Sequence, residues 1–138
     1  MICYVDSSVV LRYLFGVDQR FAETSECEAI GSSRLLQVEC ARIIERYRLT
    51  GVLDDRQTAD AHGLLARLLE GLHIIEITPA IFERASQSFP TVVGTPDAIH
   101  LASALEWRST HADLVLLTDD SQMETCAQAL GIKMWGSS

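Results

Sequence analysis

Lysine is almost missing from this 138-residue chain, Lys133 being the single one, and acids outnumber bases to give a formal net charge of −8. A general nucleic-acid coat or a protein that lies on anionic membranes needs a basic footprint, so this balance argues against both. It leaves open a nucleic-acid enzyme whose acids are masked by bound metal, and it suits a partner with basic segments. No Cys-x-x-Cys pair occurs among Cys3, Cys27, Cys40 and Cys126. Without paired spacing and accompanying histidines there is no zinc site, and the expectation is small buried thiols in a reducing compartment. No apolar run reaches the roughly 20 residues of a membrane span, and no basic leader precedes the first strand. The expectation is a soluble cytoplasmic protein. Repeats, low-complexity tracts and linkers are also absent. Hydrophobic residues make up 48% of the chain, too many for disorder, and the length suits a single domain over 1–138 with a real core.

Short continuous apolar runs alternate with stretches of helical spacing. Ile2-Cys3-Tyr4-Val5 reads as a buried strand that stops at Asp6, with a helix following from Ser7 to about Gly16. Asp18–Glu28 is charged and weakly patterned, a short surface helix or loop, followed by a strand or turn at Ala29-Ile30-Gly31. Ser32 and Ser33 are cap candidates for a helix through Thr50, and Asp54 or Asp55 for another ending near Gly71. His73–Ile77 reads as a strand, Thr78-Pro79 opens a helix to Ser88, and Thr95-Pro96-Asp97 opens one to Ser109. Leu114–Leu117 is a further buried strand ending at Thr118-Asp119-Asp120, before a helix to Gly131 and a last strand at Ile132–Trp135. Strands of this kind alternating with helices predict an α/β fold, a parallel sheet with helices on both faces.

Four acids stand at strand ends or on helices where chemistry can use them: Asp6, Glu39, Asp97 and Asp120. Each has an ordinary explanation. Asp6 can cap the helix after it, although Ser7 and Ser8 make that redundant. Glu39 sits among Leu35, Leu36 and Ile43, and can pair with Arg42 one turn on. Asp97 is a first-turn acid favoured by the helix dipole, with His100 at i+3, a position where histidine is usually packed or hydrogen-bonded. One of Asp119 and Asp120 caps the helix that follows. Together they suggest more. Strand ends of a parallel sheet crowd at one edge, where ligands bind. Carboxylates gathered there repel unless a cation neutralises them, and oxygen-only ligands select Mg²⁺ or Mn²⁺. Such an ion suits hydrolysis of a phosphodiester.

Four segments resemble the PIN domain, in particular the VapC-type toxins of bacterial toxin–antitoxin pairs. They are Val5-Asp6-Ser7-Ser8, Ser33 to Arg42 with Glu39 between, Pro96-Asp97-Ala98-Ile99-His100-Leu101-Ala102, and Leu117-Thr118-Asp119-Asp120 followed by Met123. The tail Ala129-Leu130-Gly131-Ile132 is also similar. The resemblance implies a three-layer α/β/α sandwich and a metal-dependent endoribonuclease cleaving RNA with a metal-activated water. It implies a Mg²⁺ (or Mn²⁺) site of Asp6, Glu39, Asp97 and Asp120, with Asp6 and Asp97 the direct ligands. Ser8 and Thr118 would orient those carboxylates. The register of the fourth segment selects Asp120, with Asp119 as its possible substitute. The resemblance further implies a homodimer inhibited by a cognate antitoxin that lays helical segments into an apolar groove. Pro96 and the doubled Asp119-Asp120 depart from the pattern. So does the net charge, which leaves RNA recognition to a few arginines (Arg12, Arg34 and Arg42 lie near the segments) and to RNA shape.

Other readings compete. A dehalogenase-type phosphotransferase wants Asp-x-Asp after the first strand, where this chain has Asp6-Ser7-Ser8; a receiver domain wants a late lysine, and Lys133 falls in the last strand. A PIN-like partner-binding module without nuclease activity is the principal alternative. A plain α/β domain whose acids are only caps is the remaining one.

Overall fold

The apolar runs Ile2–Val5 and Val115–Leu117 stop at Asp6 and Thr118, which fixes where the helices after them depart. The structure, a computed structural model, describes residues 1–136. Strand β1 (Ile2–Val5) is buried at every position and leads into α1 (Ser7–Leu14). A single-turn helix α2 (Arg20–Glu23) and a 3-10 turn (Thr24–Glu26) precede β2 (Ala29–Ser33). Then come α3 (Leu35–Leu49), α4 (Asp55–Gly71), β3 (His73–Ile75), α5 (Pro79–Ala85) and α6 (Thr95–Arg108). The chain closes with β4 (Val115–Leu117), α7 (Ser121–Ala129) and β5 (Lys133–Met134).

The five strands form one all-parallel sheet in the order β3-β2-β1-β4-β5. Side chains of β1 alternate, as a pleated strand requires. Ile2 and Tyr4 join Leu101, Ala104, Trp107, Leu116 and Met123 in a core under α5, α6 and α7. Cys3 and Val5 join Val9, Val10, Leu36, Ile44 and Leu65 in a second core under α1, α3 and α4. Helices therefore cover both faces, and the expected α/β/α sandwich is the fold. Each fully buried side chain such as Leu101 or Leu116 contributes about 1.5–3 kcal/mol by leaving water.

The chain leaves β1 toward β2 on one side and reaches β4 on the other, so the strand order reverses between β1 and β4. A parallel sheet opens a crevice at such a point, beyond the strands' carboxyl ends. The register is level there: Val5 pairs with Leu117, and the next residues, Asp6 and Thr118, come side by side.

Some boundaries differ from expectation. Ser32 and Ser33 lie at the end of β2, where the buried Ser32 hydroxyl donates to the carbonyl of Val5 at 2.6 Å, while Ser33 Oγ accepts the amide of Leu35, the first residue of α3, at 3.1 Å and so does serve the start of that helix. Gly94, not Thr95, occupies the cap of α6, and Thr95 is already helical. Between Asp54 and Asp55, the cap of α4 is Asp54, in a reciprocal box with Gln57: the Gln57 amide donates to Asp54 Oδ1 at 2.7 Å and the Asp54 amide to Gln57 Oε1 at 2.9 Å. The thiols of Cys3, Cys40 and Cys126 are buried and free; Cys27 is also free and half-buried. Among the described residues, no helix is long and apolar enough to cross a membrane.

Candidate active site

Asp6 stands at the reversal point. It is 3% exposed, and its carboxylate is nonetheless well supplied with donors. Ser8 Oγ donates to Oδ1 at 2.6 Å, the Val9 amide to Oδ1 at 3.4 Å, and Thr118 Oγ1 to Oδ2 at 2.5 Å. The capping role foreseen for Asp6 is therefore real, but it uses only one of its oxygens. Burial pushes its pKa up, while the two hydroxyls oppose the rise. The same hydroxyls hold the next loop: Ser8 Oγ accepts the Asp119 amide at 3.0 Å, and Thr118 Oγ1 accepts the Asp120 amide at 3.0 Å. Ser8 and Thr118 thus tie the carboxyl ends of β1 and β4 together around one carboxylate.

Asp97 lies in the first turn of α6, half-buried. A helix start ordinarily lowers a carboxyl pKa. Here the opposite wins. Burial first, then the charges of Asp120, Asp6 and Glu39, push Asp97 up to about 6, with His100 opposing. The groups that repel Asp97 are the three other acids singled out in the sequence, which locates all four in one neighbourhood.

Asp120 caps α7, its Oδ1 accepting from the amides of Gln122 at 2.9 Å and Met123 at 3.2 Å. Among the described residues Oδ2 takes no such donor. Asp119 faces elsewhere. It pairs with Arg20 and, at 3.2 Å, with Arg12 Nε, which also holds Asp18 at 2.6 Å. Two neighbouring acids are thus divided between an ion-pair cluster with Arg12 and Arg20 and the acidic crevice.

Glu39 projects from α3 with 21% of its side chain exposed. Its partner is not Arg42 but His100, whose Nε2 is 2.6 Å from Oε1. His100 is 1% exposed, and its Nδ1 is 2.7 Å from the hydroxyl of Tyr4. Sequence patterning placed His100 among ordinary packed histidines and gave Tyr4 no role. The available signal was a phenol in the middle of an otherwise apolar strand, which needs a polar partner when buried. Of the arginines near the segments, Arg34 pairs with Glu76, whereas Arg42 is exposed. Arg42 and Glu39, with Ser7, Leu11, Val38 and Ile43, line a cleft of about 410 Å³. A larger cavity of about 730 Å³ along β5 contains none of the four acids.

As the side chains stand, no three His, Cys, Asp or Glu groups among the described residues converge on one coordination point. Mg²⁺ asks for less, since one or two carboxylates and several waters complete its octahedron. Asp6 held by hydroxyls, Asp97 pushed up by its neighbours and Asp120 with one oxygen to spare form an oxygen-only set with surplus negative charge. That chemistry fits a hard divalent cation.

The sequence profile of the PIN domain family matches residues 3–128. None of the curated proteins matches the sequence significantly. Among solved structures, VapBC2 from Rickettsia felis, bound to a DNA fragment from its promoter, is similar at 10% identity and a TM-score of 0.67, with 97% of each chain covered. VapBC-1 from nontypeable Haemophilus influenzae is similar at 14% identity and a TM-score of 0.61, covering 97% of this chain and 96% of that one. A toxin–antitoxin complex from Klebsiella pneumoniae is similar at 22% identity and a TM-score of 0.59, covering 87% and 88%. These likenesses concern the fold; the profile match, which spans most of the sequence and all four acids, shows that the chain belongs to the PIN domain family.

Proposed function

We propose that this protein is a Mg²⁺- or Mn²⁺-dependent endoribonuclease, the toxin of a VapC-type toxin–antitoxin pair. The observation that carries the proposal is the buried Asp6 carboxylate, held on both oxygens by Ser8 and Thr118 where the parallel sheet reverses, in a chain of the PIN domain family. The upward pKa shift of Asp97, to which burial and the charges of Asp120, Asp6 and Glu39 contribute, supports it. PIN domains are generally nucleases, and the solved relatives above are toxin–antitoxin assemblies.

Asp6 and Asp97 are assigned as the direct ligands, with Glu39 and Asp120 completing the cluster, directly or through water. When bound, Mg²⁺ or Mn²⁺ supplies Lewis-acid stabilisation at the phosphate and lowers the pKa of a water. The rest falls to the chain. Ser8 and Thr118 fix both oxygens of Asp6, so its carboxylate costs no reordering when the substrate arrives. Glu39 and Asp120 accept hydrogen bonds from the attacking water and aim it in line with the leaving oxygen. Arg42, beside Glu39 in the cleft, is placed to meet a flanking phosphate. With a net charge of −8 the surface gives little non-specific RNA affinity, so recognition rests on local contacts and RNA shape.

The partner in this proposal is a cognate antitoxin with helical, basic segments, suited to an acidic chain that exposes apolar side chains. Val38 at 51% exposed stands at the cleft rim beside Glu39. Phe82 and Val92, at 54% and 89%, expose a second apolar area at α5 and the loop after it, which suits a homodimer contact. Purified protein incubated with mixed cellular RNA, with Mg²⁺ or Mn²⁺ and with chelator, tests the activity beside Asp97→Asn prepared identically. Discrete metal-dependent cuts that disappear in the variant are expected; cuts that persist in the variant contradict the assignment of the site.

A further inference from the structure

A file of hydrogen bonds runs from the core of the sheet to the acidic crevice. The amide of Ser33, at the end of β2, donates to the hydroxyl oxygen of Tyr4 at 3.2 Å. That hydroxyl lies 2.7 Å from His100 Nδ1, and His100 Nε2 lies 2.6 Å from Glu39 Oε1. Tyr4 and His100 are 0% and 1% exposed, so water does not compete for these partners. The two rings meet edge to face, centroids 5.9 Å apart and planes at 81°.

We propose that His100 is a positioning residue for Glu39: a buried imidazole, held from behind by Tyr4, whose Nε2 fixes one oxygen of the Glu39 carboxylate at the crevice. The proposal rests on the nuclease function above. The Tyr4 hydroxyl, itself held by the Ser33 amide, fixes the imidazole from behind at Nδ1. A carboxylate only accepts, so Nε2 donates to Glu39. One oxygen of Glu39 is thereby fixed and the other remains for the crevice. Such a bond orients the carboxylate from behind, as ligand-supporting hydrogen bonds do in metal sites.

Mn²⁺ binding is measured by titration without RNA, and kcat and KM with RNA, for wild type, His100→Leu, His100→Gln and Tyr4→Phe. His100→Leu is expected to weaken Mn²⁺ about 10–100-fold and to lower kcat with little change in KM. His100→Gln puts an amide N–H near the place of Nε2–H and should restore most of both. Tyr4→Phe removes a single oxygen, and covers the case in which His100→Leu does not fold; it should weaken Mn²⁺ and lower kcat in the same direction as His100→Leu and by less, and unchanged Mn²⁺ affinity and kcat would overturn the role of the file. If wild type and folded His100→Leu bind Mn²⁺ alike while wild type cleaves RNA, the positioning role falls and the nuclease function stands. If wild type binds no Mn²⁺ and cleaves no RNA, the function falls and the role of His100 falls with it.

Discussion

Thr118 Oγ1 donates to Asp6 Oδ2 at 2.5 Å across 112 positions of sequence. The bond exists because β1 and β4 lie side by side in register and end on the same level. It joins the two strands at the one place where a parallel sheet of this order opens. Removing the hydroxyl with Thr118→Val leaves a buried carboxylate short of a donor and orphans the Asp120 amide as well. A charge-assisted bond of this kind is worth about 1.5–3 kcal/mol. Urea unfolding should show a loss of that size at neutral pH, and RNA cleavage should fall with it. Equal stability of variant and wild type would mean the bond does not hold the strand ends together.

The pH dependence of stability follows from Asp97. Its folded pKa of about 6 lies above the ordinary carboxyl value of 3.8, so between the two the folded state binds more protons than the unfolded chain. Metal-free stability therefore falls as pH rises from about 4 through 6, then levels off. Burial raises Asp6 in the same direction. Asp97 is only half-buried, and solvent screening reduces its contribution to about 1 kcal/mol. Metal-free Asp97→Asn should accordingly be more stable than wild type at pH 7 and match it near pH 4. Thermal melts across this range check it, and a variant less stable at pH 7 would contradict the repulsion.

The two neighbouring acids after β4 should separate in function. Asp119, with 16% of its side chain exposed, is tied to Arg12 and Arg20, and Asp119→Asn should cost about 1.5–3 kcal/mol while leaving metal-dependent cleavage largely intact. Asp120→Asn keeps an oxygen for the helix cap but removes charge from the crevice, and cleavage should drop at least 100-fold. Parallel RNA assays of the two variants decide it; the reverse outcome would move the site by one residue.

Gly31, which pairs with Tyr4 on the neighbouring strand, tests the packing of α6 on the sheet. A Cβ there would stand 2.5 Å from Trp107 Cζ3 and 2.9 Å from the carbonyl of His73, which stacks on Trp107 at 5.0 Å between ring centroids. The backbone of β2 and the indole cannot both stay in place. Gly31→Ala should cost about 1–3 kcal/mol in urea unfolding through overpacking. Mn²⁺ affinity of the folded protein should stay unchanged, and a large loss of it would show that α6 carries strain to the site.

Much of this architecture was legible from residues alone. Ile2–Val5 and Leu114–Leu117 are apolar runs that stop at polar residues, and the acids or hydroxyls that stop them are the ones in the crevice. What stayed hidden were partners distant in sequence. Ser33 does hold the first amide of α3, as the preference of serine for caps suggests, but the place of Ser32 and Ser33 in β2 depends on Val5 and Tyr4, on the neighbouring strand. Glu39 had Arg42 within one turn, and only the packing of α3 near α6 brings His100, 61 positions away, closer. Asp119 and Asp120 were interchangeable by composition until Arg12 and Arg20 claimed one of them.

The central claim is that Asp6, Glu39, Asp97 and Asp120 form one cation site. Crystals of the protein soaked in Mn²⁺ test it most directly, through the anomalous difference map. A single strong peak within coordinating distance of Asp6 and Asp97, lost in Asp97→Asn, is the predicted result. Crystals that show no peak at these carboxylates at saturating Mn²⁺, or show it only elsewhere, would contradict the claim.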